Sequence, residues 1–311
     1  MKLYILQRIL SGFVVILGIT LFSFILIHLI PGDPVKIMLG QKATPENVER
    51  LTHNLGLDKP LVVQFAEYVT RVFQGDLGTS LKTGRPVFTE ISERFPFTIK
   101  LAITGLSISI ILGISIGTIS AKYKNKIIDR ISMLLATLGV SIPGFWLGIL
   151  LIMLFTVKLS WLPIAQGTGI KDIILPACTL GILSSTMISR LTRNGLVNEL
   201  SNDYIRTARA KGLNEGIILI QHALRNVLIP IITILGLQLA TLLGGAVIIE
   251  QVFNWPGLGT LAIGAISSRD FPLIQGTILF MGVIYVSINI LVDILYVIID
   301  PRIDFSLEGE K

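Results

Sequence analysis

The chain has 311 residues, of which 52% are hydrophobic and 15% charged, with a mean hydropathy of +0.76 and a net charge of +6. This composition excludes an ordinary soluble globular protein and indicates an integral membrane protein. The basic residues lie in short loops between apolar segments, without aromatic neighbours, so we expect no nucleic-acid partner. Cys178 is the single cysteine and the three histidines are far apart in sequence, so we expect no disulfide and no metal site.

The first 95 residues divide into an apolar segment and a polar one. Residues 9–30 form an apolar run of 22 residues, enough to cross a hydrocarbon core of about 30 Å, and predict an N-terminal transmembrane helix. Residues 31–95 then carry eight basic and eight acidic residues. Such a long polar segment predicts a small cap outside the membrane, in which Thr44 and Gly56 bound a first short helix.

Residues 101–121 predict a second transmembrane helix. Within it the sequence Gly-Ile-Ser-Ile-Gly begins at Gly113 and matches the nucleophile motif of hydrolases. A strand is not predicted before it and apolar residues surround it, so we interpret the match as a false positive. Gly113 and Gly117 instead have the spacing that lets two membrane helices approach closely.

Residues 131–157 predict a third transmembrane helix with a proline in its middle. Pro143 must break a helical hydrogen bond there. Ser141, Pro143 and Gly144 are therefore candidates for a kink that lines a polar path through the membrane. A kink that only aids packing agrees equally well with these residues, and both interpretations stay open.

Three further apolar segments, at 173–189, 227–249 and 273–299, predict the remaining transmembrane helices. The last contains Asp293, and an aspartate at the centre of a span costs about 2.5–3.5 kcal/mol on an insertion scale, so it should face protein or water. Asp293 is interpreted either as part of a substrate path or as a contact that holds the inner helix ends together. Its closeness to the Asp-Pro-Arg sequence at 300–302 favours the second.

The positive charges predict the orientation of these six spans. Fourteen lysines and arginines lie in the termini and in the loops predicted to be cytoplasmic, against three in the short loops on the other side. The sequence thus predicts an all-α integral membrane protein with six transmembrane helices, cytoplasmic N- and C-termini, and a small external cap after the first helix. The predicted regions are the N-terminal transmembrane helix at 1–30, the cap at 31–95, a five-helix core at 96–303 containing a cytoplasmic loop at 190–226, and a cytoplasmic tail at 304–311.

One polar, basic stretch, at 199–213, separates two apolar segments and has the signals of a short helix. Asn202 is a good N-cap, and Asp203 places negative charge in the first turn. Lys211 places positive charge at the other end, and Gly212 suits the left-handed position that follows a helix. We therefore predict a short helix outside the bilayer, followed by a tight turn and a second helix.

This stretch reads Asp-Tyr-Ile-Arg-Thr-Ala-Arg-Ala-Lys-Gly-Leu and resembles the cytoplasmic coupling motif of ABC importer permeases, most of all their dipeptide, oligopeptide and nickel branch. The matching residues are Asp203, Tyr204, Arg206, Thr207, Ala208, Arg209, Ala210 and Gly212. The resemblance implies that the short helix inserts into a groove on an ATP-hydrolysing subunit. The alternative, a helix lying on anionic lipid, explains the basic residues but not the pattern of Asp203, Tyr204 and Gly212.

A second stretch, Glu-Gln-Val-Phe-Asn-Trp-Pro-Gly-Leu-Gly at 250–259, resembles the same branch. We predict it to be a re-entrant or interfacial turn on the outer side of the membrane. Its candidate functional residues are Glu250, Phe253, Pro256 and Gly257. In the family the external region corresponding to the cap lies where the substrate-binding protein docks, a role implied here by resemblance alone.

The resemblance also implies what the chain does and with what it assembles. It would be a multi-pass permease in the cell membrane of a prokaryote, paired with a second, related permease subunit, two ATPase subunits and an extracytoplasmic binding protein. The chain has no Gly-Lys dipeptide and hence no phosphate-binding P-loop, so we expect no enzyme activity and no cofactor on this chain, with ATP and Mg²⁺ bound by the ATPase subunits. A secondary transporter is disfavoured because Asp293 is the only carboxylate deep in a span, and a membrane protease because the chain lacks a catalytic constellation.

The substrate is the least determined property. Bare nickel would need several ligands together, whereas His28, Cys178 and Asp293 lie in different predicted helices. A short peptide needs only a weakly polar path, which serines and threonines of the spans can supply: Ser107, Ser109, Ser141, Thr179 and Ser184. We therefore favour di- or oligopeptides, with nickel or a nickel chelate as the alternative.

Overall fold

The computed structural model describes residues 2–29, 35, 43–54, 58–164 and 169–299. Within these ranges the chain is helical between its loops, and one isolated β-bridge joins Thr79 to Pro86. The all-α prediction is therefore confirmed. Gly56, the sequence at 300–302 and the predicted tail at 304–311 lie outside the described residues.

The helices of the described ranges are numbered in chain order. They are α1 Lys2–Leu29, α2 Pro45–Asn54, α3 Leu61–Phe73, α4 Val87–Lys122, α5 Ile127–Ser141, α6 Gly144–Leu151, α7 Ile170–Glu199, α8 Asp203–Ala210, α9 Leu224–Gly245, α10 Val247–Val252, α11 Leu258–Ser268 and α12 Phe271–Ile299. Two π-helical segments adjoin them: Ile152–Lys158 continues α6, and Ile218–Ala223 follows a single turn at Glu215–Ile217 and leads into α9.

Five helical stretches are long and apolar enough to cross a membrane, and a bent helix pair is a sixth candidate. The five are Leu6–Ile25, Val87–Lys122, Ile170–Glu199, Glu215–Gly244 and Phe271–Leu295. The pair consists of α5 and α6, so the six predicted spans are reproduced when this pair is counted as one. The intervening α10 and α11 are too short to cross a bilayer core about 30 Å thick.

The predicted kink in the third span is a break between two helices. α5 ends at Ser141, α6 begins at Gly144, and the bend between the two halves is 102°. Pro143 cannot donate a backbone hydrogen bond, and its ring forces the preceding residue out of helical conformation. Ile142 accordingly has φ −88° and ψ 123°.

One compact unit comprises Lys2–Pro96 and Gly257–Ser287. In it the cap helix α3 packs on α1, where the ring of Phe24 lies 5.3 Å from that of Phe65. The start of α2 is as predicted, since the Asn47 N–H donates to Thr44 Oγ1 at 3.3 Å. A hydrophobic cluster joins the beginning of α4 to α11 and α12, with Val87, Ile91, Leu258, Ala265, Leu273 and Ile274 as its buried members.

The other compact unit comprises Phe97–Pro256 and the described residues 288–299. Its central element is α7, the most buried of the candidate spans. The close approach predicted for α4 is observed: a methyl group added at Gly113 would lie 2.6 Å from Ile188 Cβ, and one at Gly117 would lie 2.6 Å from the Ser189 carbonyl oxygen. α4 runs without interruption through the predicted boundary at residue 95, and the division into four regions stays a prediction.

Candidate functional site

The polar stretch between α7 and α9 contains the predicted short helix, α8. The helix begins after Asn202, which has the extended backbone of an N-cap, φ −73° and ψ 153°. Its side chain has another partner than the predicted one, because the Asn202 amide donates to Glu199 Oε2 at 3.3 Å. The helix therefore starts where residue chemistry predicts, although the Asn202 side chain contacts the end of α7 instead of the first turn of α8.

The other end of α8 is closed by backbone hydrogen bonds around a left-handed glycine. Gly212 has φ +78°, and its N–H donates to the Arg209 carbonyl at 2.9 Å. The Leu213 N–H donates to the Ala208 carbonyl at 3.3 Å, which completes the two-bond pattern of a Schellman motif. The predicted position of Gly212 is confirmed. Asn214 then caps the next turn, since its Oδ1 accepts from the Gly216 N–H at 2.8 Å.

The inner face of α8 packs on a hydrophobic cluster between α7 and the start of α9. Ile205 is fully buried and Ala208 is 7% exposed. Around them lie the other buried members of the cluster: Ala121, Ile188, Leu196, Ile218, Leu219, Ala223, Val227 and Ile231. Ala208, one of the residues of the resemblance, therefore attaches the helix to the rest of the chain.

Polar contacts hold α8 at its first turn. The Glu199 carboxylate accepts from the Tyr204 hydroxyl at 2.5 Å and from the Asn226 amide at 3.3 Å. The same amide donates to the Tyr204 oxygen at 3.1 Å. Partial burial and the neighbouring Glu199 raise the pKa of Tyr204, so the hydroxyl keeps the proton that it donates. The end of α7, the first turn of α8 and the start of α9 are thus joined around one carboxylate.

A second polar contact holds the last turn of α8. Arg209 donates to the two carboxylate oxygens of Glu215, from Nε at 2.7 Å and from Nη2 at 3.3 Å. This bidentate contact raises the pKa of Arg209 and keeps the guanidinium charged. The helix is therefore fixed at both ends to the segments that connect it to α7 and α9.

The outer face of α8 is free of packing within the described chain and carries the remaining residues of the resemblance. Asp203 and Arg206 form an ion pair of 3.5 Å, with 94% and 82% of their side chains exposed. Thr207 and Ala210 are also exposed. An exposed ion pair contributes little to folding, so these charges are available to another protein at small cost.

The three residues predicted at the kink have different surroundings. Ser141 is exposed, and its hydroxyl donates to the Thr137 carbonyl of its own helix at 3.3 Å. A methyl group at Gly144 would lie 2.9 Å from Leu183 Cδ1, so this glycine allows α6 to approach α7 closely. Gly144 therefore supports the packing interpretation, and a path lined by Ser141 stays a prediction.

The predicted external turn is a tightly packed segment. Glu250 and Phe253 are buried, and Glu250 Oε1 accepts from the Thr98 hydroxyl at 2.8 Å. Trp255, which sequence reasoning did not single out, is also buried and donates from Nε1 to the Phe97 carbonyl at 3.0 Å. The turn is therefore anchored on α4 by the side chains of Glu250 and Trp255, while Phe253 lies against Gly148 of α6.

The last two candidates of the turn lie at its end. Pro256 is half-buried, and the backbone of Gly257 begins α11, its carbonyl accepting from the Leu261 N–H at 3.2 Å.

Asp293 is half-buried in α12, next to Val292, whose side chain packs tightly against Gly236 of α9. Both interpretations of Asp293 stay predictions.

An ion pair that sequence reasoning missed lies beside the segment before α5. Arg193 donates to both oxygens of Asp129, each at 2.7 Å, and 5% of the Asp129 side chain is exposed. The Ser120 hydroxyl and the Asn125 N–H also donate to this carboxylate. The sequence signal was a single acid among the basic residues at 122–130, and its partner is 64 residues away.

A second missed carboxylate organises part of the cap. Asp270, which is 1% exposed, precedes α12 and accepts from the Ser80 hydroxyl at 2.5 Å. It also accepts from the backbone N–H groups of Leu81 and Lys82, at 3.1 and 3.2 Å. The loop at 80–86 is thereby attached to the beginning of the last helix.

The three residues that were considered as metal ligands lie in three different helices, His28 in α1, Cys178 in α7 and Asp293 in α12. Cys178 is half-buried in α7, Asp293 is half-buried in α12, and the side chain of His28 lies outside the described residues. In the part of the chain that the structure describes, no group of three or more histidine, cysteine, aspartate or glutamate side chains is placed to hold a metal ion.

Apolar helices long enough to span a bilayer define a multi-pass membrane protein, and α8 presents an exposed polar face between two of them. Residues 113–305 match the family model "Binding-protein-dependent transport system inner membrane component", and residues 1–102 match the model of its N-terminal region. The chain belongs to this family. It is a permease subunit of an ABC importer and a multi-pass protein of the inner membrane.

Curated relatives resemble the chain over almost its whole length. It is 42% identical over 303 residues to the glutathione transport system permease protein GsiC of Salmonella typhimurium, covering 97% of this chain and 99% of the relative. The corresponding proteins of Pectobacterium atrosepticum and Escherichia coli K12 are 43% and 41% identical with the same coverage. A chain of the inward-facing MetNI methionine ABC transporter shares the fold, with a TM-score of 0.55, 18% identity, and coverage of 68% of this chain and 96% of that one.

Proposed function

We propose that this permease subunit forms half of the path by which an ABC importer takes up short peptides, including tripeptides of the size of glutathione. The observation that carries the proposal is the identity of 41–43% over 97% of the chain to permeases named for glutathione transport. Glutathione is a tripeptide and so falls within the di- and oligopeptide class that the sequence favours. Ser184 is half-buried on the central helix α7, in accord with a weakly polar path, whereas Thr179 is fully buried and donates to the Leu175 carbonyl of its own helix.

We propose further that α8 couples this subunit to an ATPase subunit by inserting its exposed face into a groove. Asp203, Arg206 and Thr207 would contact the partner, while Ile205 and Ala208 hold the helix on its own chain. The bond between Tyr204 and Glu199 and the pair of Arg209 with Glu215 keep α8 in a fixed orientation. A displacement of α8 would therefore be transmitted to α7 and α9. ATP and Mg²⁺ would be bound by the two ATPase subunits.

The assembly would contain a second, related permease subunit and an extracytoplasmic binding protein. We place the docking of the binding protein on the cap, where the loop at 80–86 offers exposed residues on a firm support. Asp270 holds the beginning of this loop through Ser80, and Arg85 pairs with Glu90 at 3.3 Å. A loop that is already ordered loses little conformational entropy when a partner binds.

The proposed orientation has six spans, counting α5 and α6 as one, and both termini in the cytoplasm. It is supported by the excess of positive charge in the loops that would then be cytoplasmic. A reporter active only in the cytoplasm is expected to be active when fused after Lys211 and silent when fused after Pro163. A second reporter, active only outside the cytoplasm, should give the opposite pattern at both sites. The orientation would be refuted if the cytoplasmic reporter were active when fused after Pro163 and silent when fused after Lys211.

Uptake into proteoliposomes tests the substrate class. The complex of this chain with its partner subunits, supplied with binding protein and internal ATP, is expected to accumulate labelled glutathione and to show competition by other short peptides. Labelled nickel, with or without a chelator, should be taken up no faster than by liposomes without protein. Omitting ATP or the binding protein provides the controls. Nickel uptake that peptides neither match nor inhibit would contradict the proposal.

A further inference from the structure

The turn between α4 and α5 carries four basic side chains on a short stretch of surface. They are Lys122, Lys124, Lys126 and Arg130, and all four are exposed. Among the residues that the structure describes, none of the four forms an ion pair with a carboxylate. The turn therefore presents four positive charges that the described chain does not neutralise.

The single acid of this turn is directed inward. Asp129 is 3% exposed, and Arg193 of α7 donates to both of its carboxylate oxygens at 2.7 Å. The Asn125 N–H also donates to Asp129, at 2.9 Å, and Asn125 has the left-handed φ of +63°. Since Arg193 neutralises Asp129, this acid does not compensate the four exposed charges. The same contacts fix the backbone of the turn, so little conformational entropy is lost when a ligand binds there.

Two of the lysines are held at one aromatic ring. Lys122 Nζ lies 5.6 Å and Lys126 Nζ lies 5.8 Å from the centroid of the half-buried Tyr123 ring. Contacts of this length are cation–π interactions, and they keep both ammonium groups within 6 Å of one point. Two like charges so placed repel each other, and an anion bound between them removes that repulsion.

The position of the turn relative to the apolar segments places its charges at the membrane surface. The apolar run of α4 ends at Ala121, and only the four residues 123–126 separate α4 from α5. A link of four residues that returns to the bilayer extends at most about 7 Å from it, and the headgroup layer is itself about 5–7 Å thick. Exposed apolar side chains begin directly beside the charges, at Ile119 of α4 and at Ile127 and Ile131 of α5.

We propose that the turn at 122–130 binds the phosphate headgroup of an anionic phospholipid, whose acyl chains lie against Ile127 and Ile131. The two lysines at the aromatic ring would contact the phosphate, and Lys124 and Arg130 would strengthen the attraction. Four or more basic residues directly beside a membrane helix are typical of surfaces that bind anionic lipid. A soluble phosphate could use the same charges, but it would leave the neighbouring isoleucines without a contact.

A lipid bound at this turn would be connected to the central helix. The turn joins α4 to α5, and the pair of Asp129 with Arg193 attaches it to α7. The bound headgroup would thus hold the ends of three helices at the surface of the membrane. This site is independent of the transported substrate, so it stands or falls separately from the proposed function.

Native mass spectrometry of the assembled complex tests the site. The complex in detergent micelles is titrated with phosphatidylglycerol, or with phosphatidylcholine of the same acyl chains, and the bound lipids are counted. We expect Lys122→Gln/Lys126→Gln to bind one phosphatidylglycerol about 25-fold more weakly than the wild type, since each basic residue near an anionic surface contributes a factor of about five. Each single variant should bind it about fivefold more weakly. Phosphatidylcholine binding should be the same in all of them.

Lys158→Gln/Lys171→Gln is the matched control. Both lysines are exposed at the ends of apolar helices, so this variant loses the same charge at another place. It should bind phosphatidylglycerol as the wild type does, and so should Lys122→Arg/Lys126→Arg, which keeps the two charges. Glycerol 3-phosphate, a headgroup without acyl chains, should not displace the lipid at equal concentration.

Several results would overturn the inference. One is equal affinity of the wild type and Lys122→Gln/Lys126→Gln for phosphatidylglycerol, and another is an equal loss of affinity in the control variant. Displacement of the lipid by glycerol 3-phosphate would show a site for soluble phosphate instead. If Lys122→Gln/Lys126→Gln loses its ATPase subunits but still binds phosphatidylglycerol, the turn is a protein interface and the lipid site is refuted.

Discussion

Replacing Gly212 by valine is expected to abolish most transport while leaving membrane insertion intact. Gly212 has φ +78°, a conformation that costs an ordinary residue about 1–2 kcal/mol and a β-branched one more. A methyl group at Gly212 would meet no described atom within 4 Å, so the effect arises from the backbone alone. To relieve the strain the turn must open, which breaks the bonds from Gly212 to Arg209 and from Leu213 to Ala208.

An opened turn changes the direction of α8 relative to the helices that hold it. The pair of Arg209 with Glu215 spans this turn, so the last turn of α8 would lose its second attachment as well. Since 1.4 kcal/mol corresponds to a factor of ten, we expect uptake by the reconstituted complex to fall by about tenfold or more. The ATP hydrolysis that substrate stimulates should fall with it or become independent of substrate.

Gly212→Asn is the matched control for this experiment. Asparagine adopts the left-handed conformation more readily than other residues with a side chain, so this variant should retain most of the uptake. Both variants should be recovered from the membrane in wild-type amounts. Equal uptake by the valine variant and the wild type would contradict the coupling role of α8.

The ends of α8 and the break in the third span could be predicted because their causes are local. A left-handed glycine after a short amphipathic helix, and a proline inside an apolar segment, act on the backbone of their own neighbours. The structure has Gly212 and Pro143 at these positions in those roles. The angle of 102° at Pro143 could not be predicted, because it depends on the packing of α5 and α6 against α7.

The carboxylates that organise the chain could not be recognised from sequence because their partners are distant. Asp270 contacts a loop about 190 residues earlier, and Asp129 contacts Arg193 across 64 residues. Glu199 shows the same limitation at short range. The Asn202 side chain that was predicted to cap α8 donates its amide to the Glu199 carboxylate, and this charge-assisted bond attaches the side chain to the end of α7.

The turn at 250–259 shows how a resemblance can identify a segment without giving its surroundings. Its aromatic residues suggest a membrane interface, whereas Phe253 and Trp255 are fully buried in the chain. Burial of Trp255 requires a partner for its indole N–H, and the Phe97 carbonyl provides it. Sequence gives no sign of this contact, since Phe97 lies 158 residues earlier.

Substitutions in the ion pair between the buried Asp129 and the partly buried Arg193 should have the largest effect on stability. Removing one partner of a buried ion pair costs about 3–5 kcal/mol, because the remaining charge is left without compensation. Because 22% of the Arg193 side chain is exposed and Ser120 and the Asn125 N–H still donate to Asp129, Arg193→Met should lower the free energy of unfolding by less than this, about 2 kcal/mol. Unfolding titrations in mixed micelles, with the chain in its native complex, measure this loss. Arg190→Met is the control, since Arg190 is exposed on the same helix and should change stability by less than about 0.5 kcal/mol.

A second substitution separates the charge from the packing. Asp129→Asn alone should destabilise the protein, because Arg193 loses its charged acceptor. In the Arg193→Met background the same change should stabilise it, because it removes the uncompensated carboxylate while the asparagine oxygen still accepts from Ser120 or the Asn125 N–H. Asp129→Asn should thus recover part of the free energy of unfolding that Arg193→Met loses, although Asp129→Asn lowers this free energy when it is made alone. Additive losses in the double variant would mean that the two side chains act independently, and that the ion pair does not hold the beginning of α5 on α7.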